Sequence, residues 1–426
     1  MAGLFVERSR ARIRFARWVF LVVGVAPLAG LVAWAIGSHG DARRARLEAR
    51  VGSALSLPVS IARVRDARPG VMILEDVGLG GTAAAPLVRL SRVRVEESGR
   101  EIRLEIDSLE CPPAAAALFA RITRGWLAGT GEAPHDWIVE CARVGWGAGA
   151  AAPPLDRVRA ECVAAPGSRG VWIRAASGVG RDHEIRVRRH GEDAAPRYEC
   201  VAFLAAPLPL AVVGAGLGLG VDPIAGGATC AGEWNAVHAS DGWTGHGSGS
   251  AAGVDLAMLT VPLPDRLRGT ADIVVDRVDL AAGRVREARF QLRATDGTVG
   301  SLLMAAAVDW LGCRPLAAWP PQSPVPFRSM AWSCRLGPLG IELDGMGDRG
   351  SLCADAKGPL LAPPPGPVPV ERLAWLGSPP GLPVVPASRW TAWLLPWLPA
   401  LEAIPPAGGA RGQGDGSVAA GAREPR

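Results

Sequence analysis

Several residue spacings that support catalysis or metal binding are missing from this sequence of 426 residues. None of its eight cysteines forms a CxxC pair, and its six histidines form no HxH or HxxxH pair, which argues against structural zinc. The glycine run at 214–220 has Leu219 at the third glycine position of GxGxxG, and Ser248 lacks a GxSxG context because His246 replaces the first glycine. The segment 344–350 lacks the final glutamate of a calcium loop. We therefore expect no enzyme activity, no cofactor and no metal site.

Lysine is almost absent, since only Lys357 among the 46 basic residues is a lysine. The net charge of +5 originates in the first fifty residues, which hold nine arginines and three acidic residues. The remaining chain carries 37 basic and 38 acidic residues, a net charge of −1. Nucleic-acid binding needs a basic surface on the folded part of a chain. We therefore expect no nucleic-acid partner.

A charge-free run of twenty residues, 18–37, follows five arginines near the N-terminus. Its length suits a helix that crosses a ~30 Å hydrocarbon core, and the arginines place residues 1–17 in the cytoplasm. We predict a single-pass transmembrane anchor with the bulk of the chain exported. The alternative is a signal peptide cleaved near 33–35, which exports everything after Gly40 as well. The anchor residues singled out are Trp18, Phe20, Leu21, Leu28, Leu31 and Trp34.

Alternation with period two dominates the sequence after a short amphipathic helix predicted at 41–57. Examples are "EIRLEID" (101–107), "HEIRVRR" (183–189) and "EARFQLRAT" (287–295), and two strand-like runs flank Pro69-Gly70 as a hairpin. Such strands have one apolar and one charged face, as expected for an antiparallel sheet with short connections. The residues assigned to the apolar face are Ile102, Leu104, Ile106, Ile185, Val187, Phe290 and Leu292.

Two alanine- and leucine-rich segments, 113–129 and 301–312, predict helices that lie across the apolar face or cap one end of the sheet. Fourteen of residues 357–406 are proline, which favours extended, turn-rich structure. Within this segment Trp390, Trp393 and Trp397 share a helical face. They either plug the end of the core or form an interface with a membrane or a partner. Residues 407–426 are expected to form a disordered tail.

The eight cysteines allow two interpretations. An even number of cysteines in an exported chain permits disulfides. Most of them, however, lie inside strand-like runs, where cysteine also serves as a small core residue. Spacing alone leaves both open.

The N-terminal quarter resembles the AsmA-like family of envelope proteins. The resemblance rests on the anchor, the stretch "LSLPVSIARV", the hairpin "PGVMILEDVGL" and the strand "APLVRLSRVRVEE", over about 17–110. A second stretch, 267–306, is similar to the C-terminal part of that family. The resemblance implies a mainly β fold: an elongated, curved antiparallel sheet with an apolar concave face, over 41–356. It also implies anchoring in the bacterial inner membrane, with N-terminus cytoplasmic and the sheet periplasmic.

Two functions agree with this pattern. The apolar face forms an open groove that shelters the acyl chains of phospholipid, and the protein then binds or moves lipid or assists envelope and outer-membrane assembly. Alternatively, helices cover that face, and the chain is an anchored scaffold, like a secretion-system subunit, that binds an envelope protein. An open apolar groove favours lipid, whereas a filled interior with one exposed patch favours the scaffold.

Overall fold

The computed structural model describes residues 41–376, apart from 56, 83–84, 130–134, 147–151, 179, 192–195, 218–226, 261–262, 264 and 321–322. Among the helices of this described part, none has the length and apolar character of a membrane span. The predicted tail at 407–426 lies outside the described residues. So do the anchor and the candidate interface, namely Trp18, Phe20, Leu21, Leu28, Leu31, Trp34, Trp390, Trp393 and Trp397.

The described chain is mainly β, as the alternating pattern predicts. Its helices are α1 (Asp41–Leu55), α2 (Pro113–Ala128), α3 (Leu210–Leu217), α4 (Leu256–Leu259), α5 (Ser301–Asp309) and α6 (Arg372–Trp375). The first nine strands are β1 (Val59–Arg68), β2 (Val71–Gly81), β3 (Pro86–Ser98), β4 (Glu101–Glu110), β5 (Asp136–Gly145), β6 (Leu155–Ala165), β7 (Ser168–Ala176), β8 (His183–His190) and β9 (Arg197–Pro209). The remaining strands are β10 (Thr229–Ala239), β11 (Gly242–Asp255), β12 (Leu267–Ala281), β13 (Arg284–Val299), β14 (Arg314–Pro315), β15 (Val325–Gly337), β16 (Gly340–Gly345), β17 (Cys353–Ala354) and β18 (Pro359–Ala362).

All of these strands belong to one sheet. From β1 to β13 each strand pairs with the next one along the chain, and β13 then pairs with β15. Strand β15 pairs with both β16 and β17, and β18 joins β17 to β14. The hairpin predicted around Pro69-Gly70 is confirmed, and Gly70 has a φ of 77° that a residue with a side chain rarely adopts. The prediction of an antiparallel sheet is confirmed for every pairing except one.

The exception is the parallel pair formed by β4 and β5. Parallel neighbours need a crossover connection, because the chain must return to the end of the sheet where the first strand begins before it starts the second strand. Helix α2 provides that crossover, close to the predicted bounds of 113–129. Alternation along each strand carries no information about parallel or antiparallel pairing, so the sequence pattern alone did not distinguish this pair.

Two buried clusters lie on the apolar face of the sheet. The N-terminal core joins β1–β6 and the end of β9 to α1, α2 and α3, with Ile61, Val88 and Leu118 among its most buried members. The C-terminal core joins β12, β13, β15 and the following segments to α4 and α5, around Leu256 and Ile341. Each core buries the apolar face of several strands beneath helices, which is how a one-sided sheet hides its apolar surface.

The first residues of the proline-rich segment belong to the C-terminal core. Leu360, Leu361 and Val370 are buried there, and Val368 exchanges two backbone hydrogen bonds with Ile341 of β16 at 2.7 and 2.8 Å. This contact covers the outer edge of β16. The described part of the segment, 357–376, is thus continuous with the sheet domain predicted to end at 356.

The other edge of the sheet, strand β1, is covered by α1. The Glu48 carboxylate accepts a hydrogen bond from the Ile61 N–H at 2.7 Å, and Arg43 forms an ion pair with Asp66. Unpaired N–H and C=O groups on an edge strand invite pairing with other chains, so covering them disfavours edge-to-edge association.

Strand β11 contains glycines whose missing side chains make room for a tryptophan. A Cβ atom added at Gly247 would collide with the indole of Trp234 on the neighbouring strand β10. The substitution Gly247→Ala should therefore lower the free energy of unfolding by about 1–3 kcal/mol, through overpacking. Urea denaturation followed by circular dichroism measures this change.

The matched control is Gly170→Ala on β7, where the nearest atom to an added Cβ is the Val187 carbonyl oxygen at 3.8 Å. This variant should be neutral or slightly more stable, since alanine restricts the unfolded chain more than glycine does. Equal destabilisation of the two variants would show that Trp234 does not lie over Gly247.

Candidate functional site

The strand register places apolar residues in continuous rows across the sheet. Directly paired residues of neighbouring strands lie on the same face, so a row can be followed from strand to strand. The first row crosses from β2 to β16. Its members are Met72, Val95, Leu104, Val139, Ala160, Ile173, Ile185, Ala202, Trp234, Gly247, Val278, Ala288, Leu336 and Ile341.

A second row lies two residues from the first on each strand, or three on β13 where the register shifts, and on the same face. Its members are Ile102, Trp137, Cys162, Val171, Val187, Cys200, Ala236, Gly245, Leu280 and Val285. The two rows contain no charged residue over ten or more strands. They form one apolar band on one face of the sheet.

All seven residues assigned to the apolar face from the sequence lie on this face. Leu104 and Ile185 are in the first row, and Ile102 and Val187 are in the second. Ile106, Phe290 and Leu292 lie further along their strands on the same side. The sequence pattern thus grouped residues from strands as distant as β4 and β13.

Packing divides these seven residues into two groups. Leu104 and Ile106 belong to the N-terminal core, whereas Phe290 and Leu292 belong to the C-terminal core. Core packing therefore accounts for these four. Ile102, Ile185 and Val187 belong to neither core and are partly exposed, so they remain candidates for facing a ligand.

We call the part of the band on β4 to β10 that belongs to neither core the open strip. It consists of Ile102, Trp137, Ala160, Cys162, Val171, Ile173, Ile185, Val187, Cys200, Ala202, Trp234 and Ala236. None of these residues belongs to either buried cluster, and all except Val171 and Ala236 are partly exposed. The open strip is therefore an apolar surface that the described helices leave incompletely covered.

The apolar band lacks side chains at three positions of β11. Gly245, Gly247 and Gly249 face the apolar side of this strand, whereas His246 and Ser248 face the opposite side. Three successive positions without side chains leave a depression, which the indole of Trp234 partly fills by lying over Gly247. Sequence reasoning missed this feature, although glycine at every second position of a strand was its visible signal.

All eight cysteines have free thiols, so the structure contains none of the disulfides that the sequence permits. Cys111, Cys141, Cys313, Cys334 and Cys353 are buried. Cys162, Cys200 and Cys230 are partly exposed. Burial raises the pKa of Cys162 to about 11 and that of Cys334 to about 12, because the thiolate would lose its hydration. These thiols behave as small apolar residues, and Cys162 and Cys200 lie within the open strip.

His183 on β8 is a polar exception on the apolar face. It pairs with Ala175, its side chain is 4% exposed, and neither ring nitrogen has a hydrogen-bond partner among the described residues. Burial lowers the pKa of His183, and the nearby charge of Asp182 opposes this shift. The imidazole is therefore held in its neutral form.

The opposite face of the sheet is charged and solvated. Arginine and glutamate pair across neighbouring strands, for example Arg159 with Glu140 at 2.9 Å and Arg94 with Glu105 at 3.3 Å. Exposed pairs of this kind contribute roughly 0–1 kcal/mol each. This face of the sheet is in contact with solvent, whereas the apolar face carries the helices and the open strip.

The chemistry available at the open strip is burial of apolar groups. In the described part of the chain, His, Cys, Asp and Glu side chains form no group of three that could hold a metal ion. Aliphatic, aromatic and thiol side chains bind a ligand by excluding water, with about 25 cal/mol gained per Å² of apolar surface removed from it.

Comparison with known proteins provides no assignment. No protein-family model matches this chain, and neither a curated protein nor a solved structure matches it significantly.

The buried imidazole of His183 predicts a pH-dependent stability. Below the unfolded pKa of 6.5 the unfolded chain binds a proton that the folded chain binds only at a lower pH. The free energy of unfolding should therefore fall as the pH decreases below about 6.5. His183→Leu should flatten this dependence and raise the free energy of unfolding at pH 7 by about 1 kcal/mol, since it removes unpaired buried nitrogens.

Urea denaturation at pH 7.0, 6.0 and 5.0 measures both effects. The control is His246→Leu, an exposed histidine on the charged face of β11, which should leave the pH dependence as in the unmodified chain. An unchanged slope in the His183 variant would contradict the burial of a neutral imidazole.

Proposed function

We propose that this chain is an AsmA-like protein of the bacterial inner membrane whose periplasmic sheet binds phospholipid through acyl chains laid on the open strip. In this proposal the sheet is elongated and curved, and the apolar face is its concave side. The protein thereby binds or moves lipid in the cell envelope, with no enzymatic step of its own. The partners are the inner membrane and a phospholipid.

The observation that carries the proposal is the open strip itself. It is an uncharged surface that crosses β4 to β10 outside both packed cores, with partly exposed side chains along it. Seven strands spaced by ~4.8 Å make a strip about 30 Å long, which exceeds the length of one extended acyl chain. An apolar patch that survives folding usually marks a site of interaction.

The position of α1 supports attachment to a membrane. This helix begins at Asp41, with three residues between it and the predicted anchor, and packs Leu47 and Leu55 against the N-terminal core. Its contacts with Ile61 and Asp66 attach it to the edge strand β1. An anchor at 18–37 would therefore hold the first edge of the sheet close to the membrane surface, where lipid is available.

The second candidate function is an anchored scaffold that binds an envelope protein. The filling of both ends of the apolar face by helices favours it, since a closed interior needs no ligand. The open strip favours lipid, because it continues without a charge across seven strands, whereas a scaffold needs only one exposed patch.

Thiols of the open strip provide a direct test for lipid. The full chain, purified in detergent, is treated with N-ethylmaleimide in the presence of dioleoyl phosphatidylglycerol, and modified cysteines are mapped by mass spectrometry. Modification of Cys162 and Cys200 should slow about tenfold at lipid concentrations ten times the dissociation constant, because only about a tenth of the protein is then unoccupied.

Two controls separate binding to the strip from other effects. A cysteine introduced as Ser250→Cys lies on the opposite, exposed face and should react at the same rate with and without lipid. Ile185→Trp fills the strip and should abolish the protection of Cys162 and Cys200, whereas Val201→Trp on the charged face should preserve it. Equal rates at both strip cysteines with and without lipid, in a chain that is folded by circular dichroism, would favour the scaffold.

A further inference from the structure

A third row of paired residues borders the apolar band on the side of the short hairpin turns. It continues from β7 to β11 two residues beyond the second row, on the same face of the sheet. We call it the border row, and its members are Arg169, Arg189, Tyr198, His238 and Trp243. Tyr198 is the single tyrosine of the chain.

The composition of the border row differs from that of the band beside it. Two cations are followed by three amphipathic aromatic residues, and no acidic residue is present. The ring centroids of Tyr198 and His238 are 6.3 Å apart, and those of His238 and Trp243 are 5.0 Å apart. Tyrosine, tryptophan and arginine with an apolar body and a polar tip are favoured where an apolar phase meets a polar one.

The two arginines also hold helix α2 in place. Arg169 Nη1 donates to the Trp126 carbonyl oxygen at 2.9 Å, and Arg189 Nη1 donates to the carbonyl oxygens of Leu127 and Gly129 at 3.2 and 3.1 Å. The final carbonyls of a helix lack partners within the helix and carry a partial negative charge. These contacts fix the guanidinium groups at the end of α2, next to the open strip.

Arg189 is buried to an extent that is unusual for a cation. Its side chain is 7% exposed, its Nε has no hydrogen-bond partner, and no carboxylate forms an ion pair with it among the described residues. A buried N–H without an acceptor is costly, especially on a charged group. An anionic oxygen would supply the missing acceptor and charge.

We infer that the border row receives the phosphate of an anionic lipid headgroup while the acyl chains lie on the open strip. This inference rests on the proposed lipid function and deepens it by assigning the headgroup class and its side of the sheet. Two residues along a strand span ~7 Å, so the border row lies within reach of a headgroup whose chains cover Val187 and Cys200. The opposite border offers no such row, since Ala175, His183, Leu204 and Gly232 occupy it and none of them is an arginine.

The test compares lipids that share their acyl chains. Binding of dioleoyl phosphatidylglycerol, dioleoyl phosphatidylcholine and dioleoylglycerol to the full chain in detergent is measured by native mass spectrometry. The anionic lipid should bind at least tenfold more tightly than uncharged dioleoylglycerol, as expected for charge-assisted hydrogen bonds to arginine. Arg189→Gln should remove most of this preference and leave the affinity for dioleoylglycerol unchanged.

The matched control is Arg188→Gln, which removes the same charge from the adjacent residue of β8 on the opposite, exposed face. It should keep the full preference for the anionic lipid. Because Arg189→Gln also loosens the end of α2, Tyr198→Phe provides a second variant that contacts no helix carbonyl. It should reduce the preference about threefold, through loss of one hydroxyl contact.

The location of the headgroup is checked with a phosphatidylglycerol that carries a photoreactive group next to its phosphate. Cross-links should form on peptides that contain Tyr198, His238 or Trp243. Inorganic phosphate, as the alternative source of the same anion, should displace the lipid only weakly.

The outcomes distinguish the two proposals. Equal affinity for the anionic and uncharged lipids would overturn the headgroup assignment and leave lipid binding intact. Failure of all three lipids to bind would overturn the proposed function itself. Inorganic phosphate that binds as tightly as phosphatidylglycerol, with cross-links elsewhere, would show a free-anion site instead of a headgroup site.

Discussion

The constraint on which the rest of the structure depends is the shared register of the strands. Side chains alternate along each strand, so a shift of one residue between neighbours would send every apolar side chain of the shifted strand to the charged face. From β2 to β16 the pairing keeps Met72, Leu104, Ile185, Trp234 and Ile341 in a single row. Bulges within β11 and β12 absorb the mismatches without breaking the row.

A sheet with one continuous apolar face must then cover that face or use it. The chain covers it at both ends. Helix α2 crosses the N-terminal part as the connection between parallel strands, and Arg169 and Arg189 hold its last carbonyls. Helices α4 and α5 and the residues around Leu360 cover the C-terminal part. Outside these two cores the same apolar pattern continues without a full cover, and this remainder is the open strip.

The lipid proposal and the headgroup inference follow from that remainder and its border. The strip is uncharged. A row containing Arg189, Tyr198 and Trp243 lies along the edge of the strip that is nearest the hairpin turns. The arginines serve two purposes in this view, since they fix a helix end and offer positive charge beside an apolar surface. An amphiphile with an anionic group presents the complementary pair of properties. The free thiols of Cys162 and Cys200 make the same surface accessible to chemical measurement.

The sequence by itself determined the class of fold, the alternating strands and the face on which each apolar residue lies, because a period of two is a local property. It placed Ile102 and Phe290 on one face although more than 180 residues separate them. The sequence did not reveal the border row, because Arg169, Tyr198 and Trp243 are separated in sequence and only strand pairing places them in one row. Packing also decided that Leu104 is core and Ile185 is not, because burial depends on which helix crosses which strand. Register and coverage are relations between distant segments, and only the tertiary structure sets them.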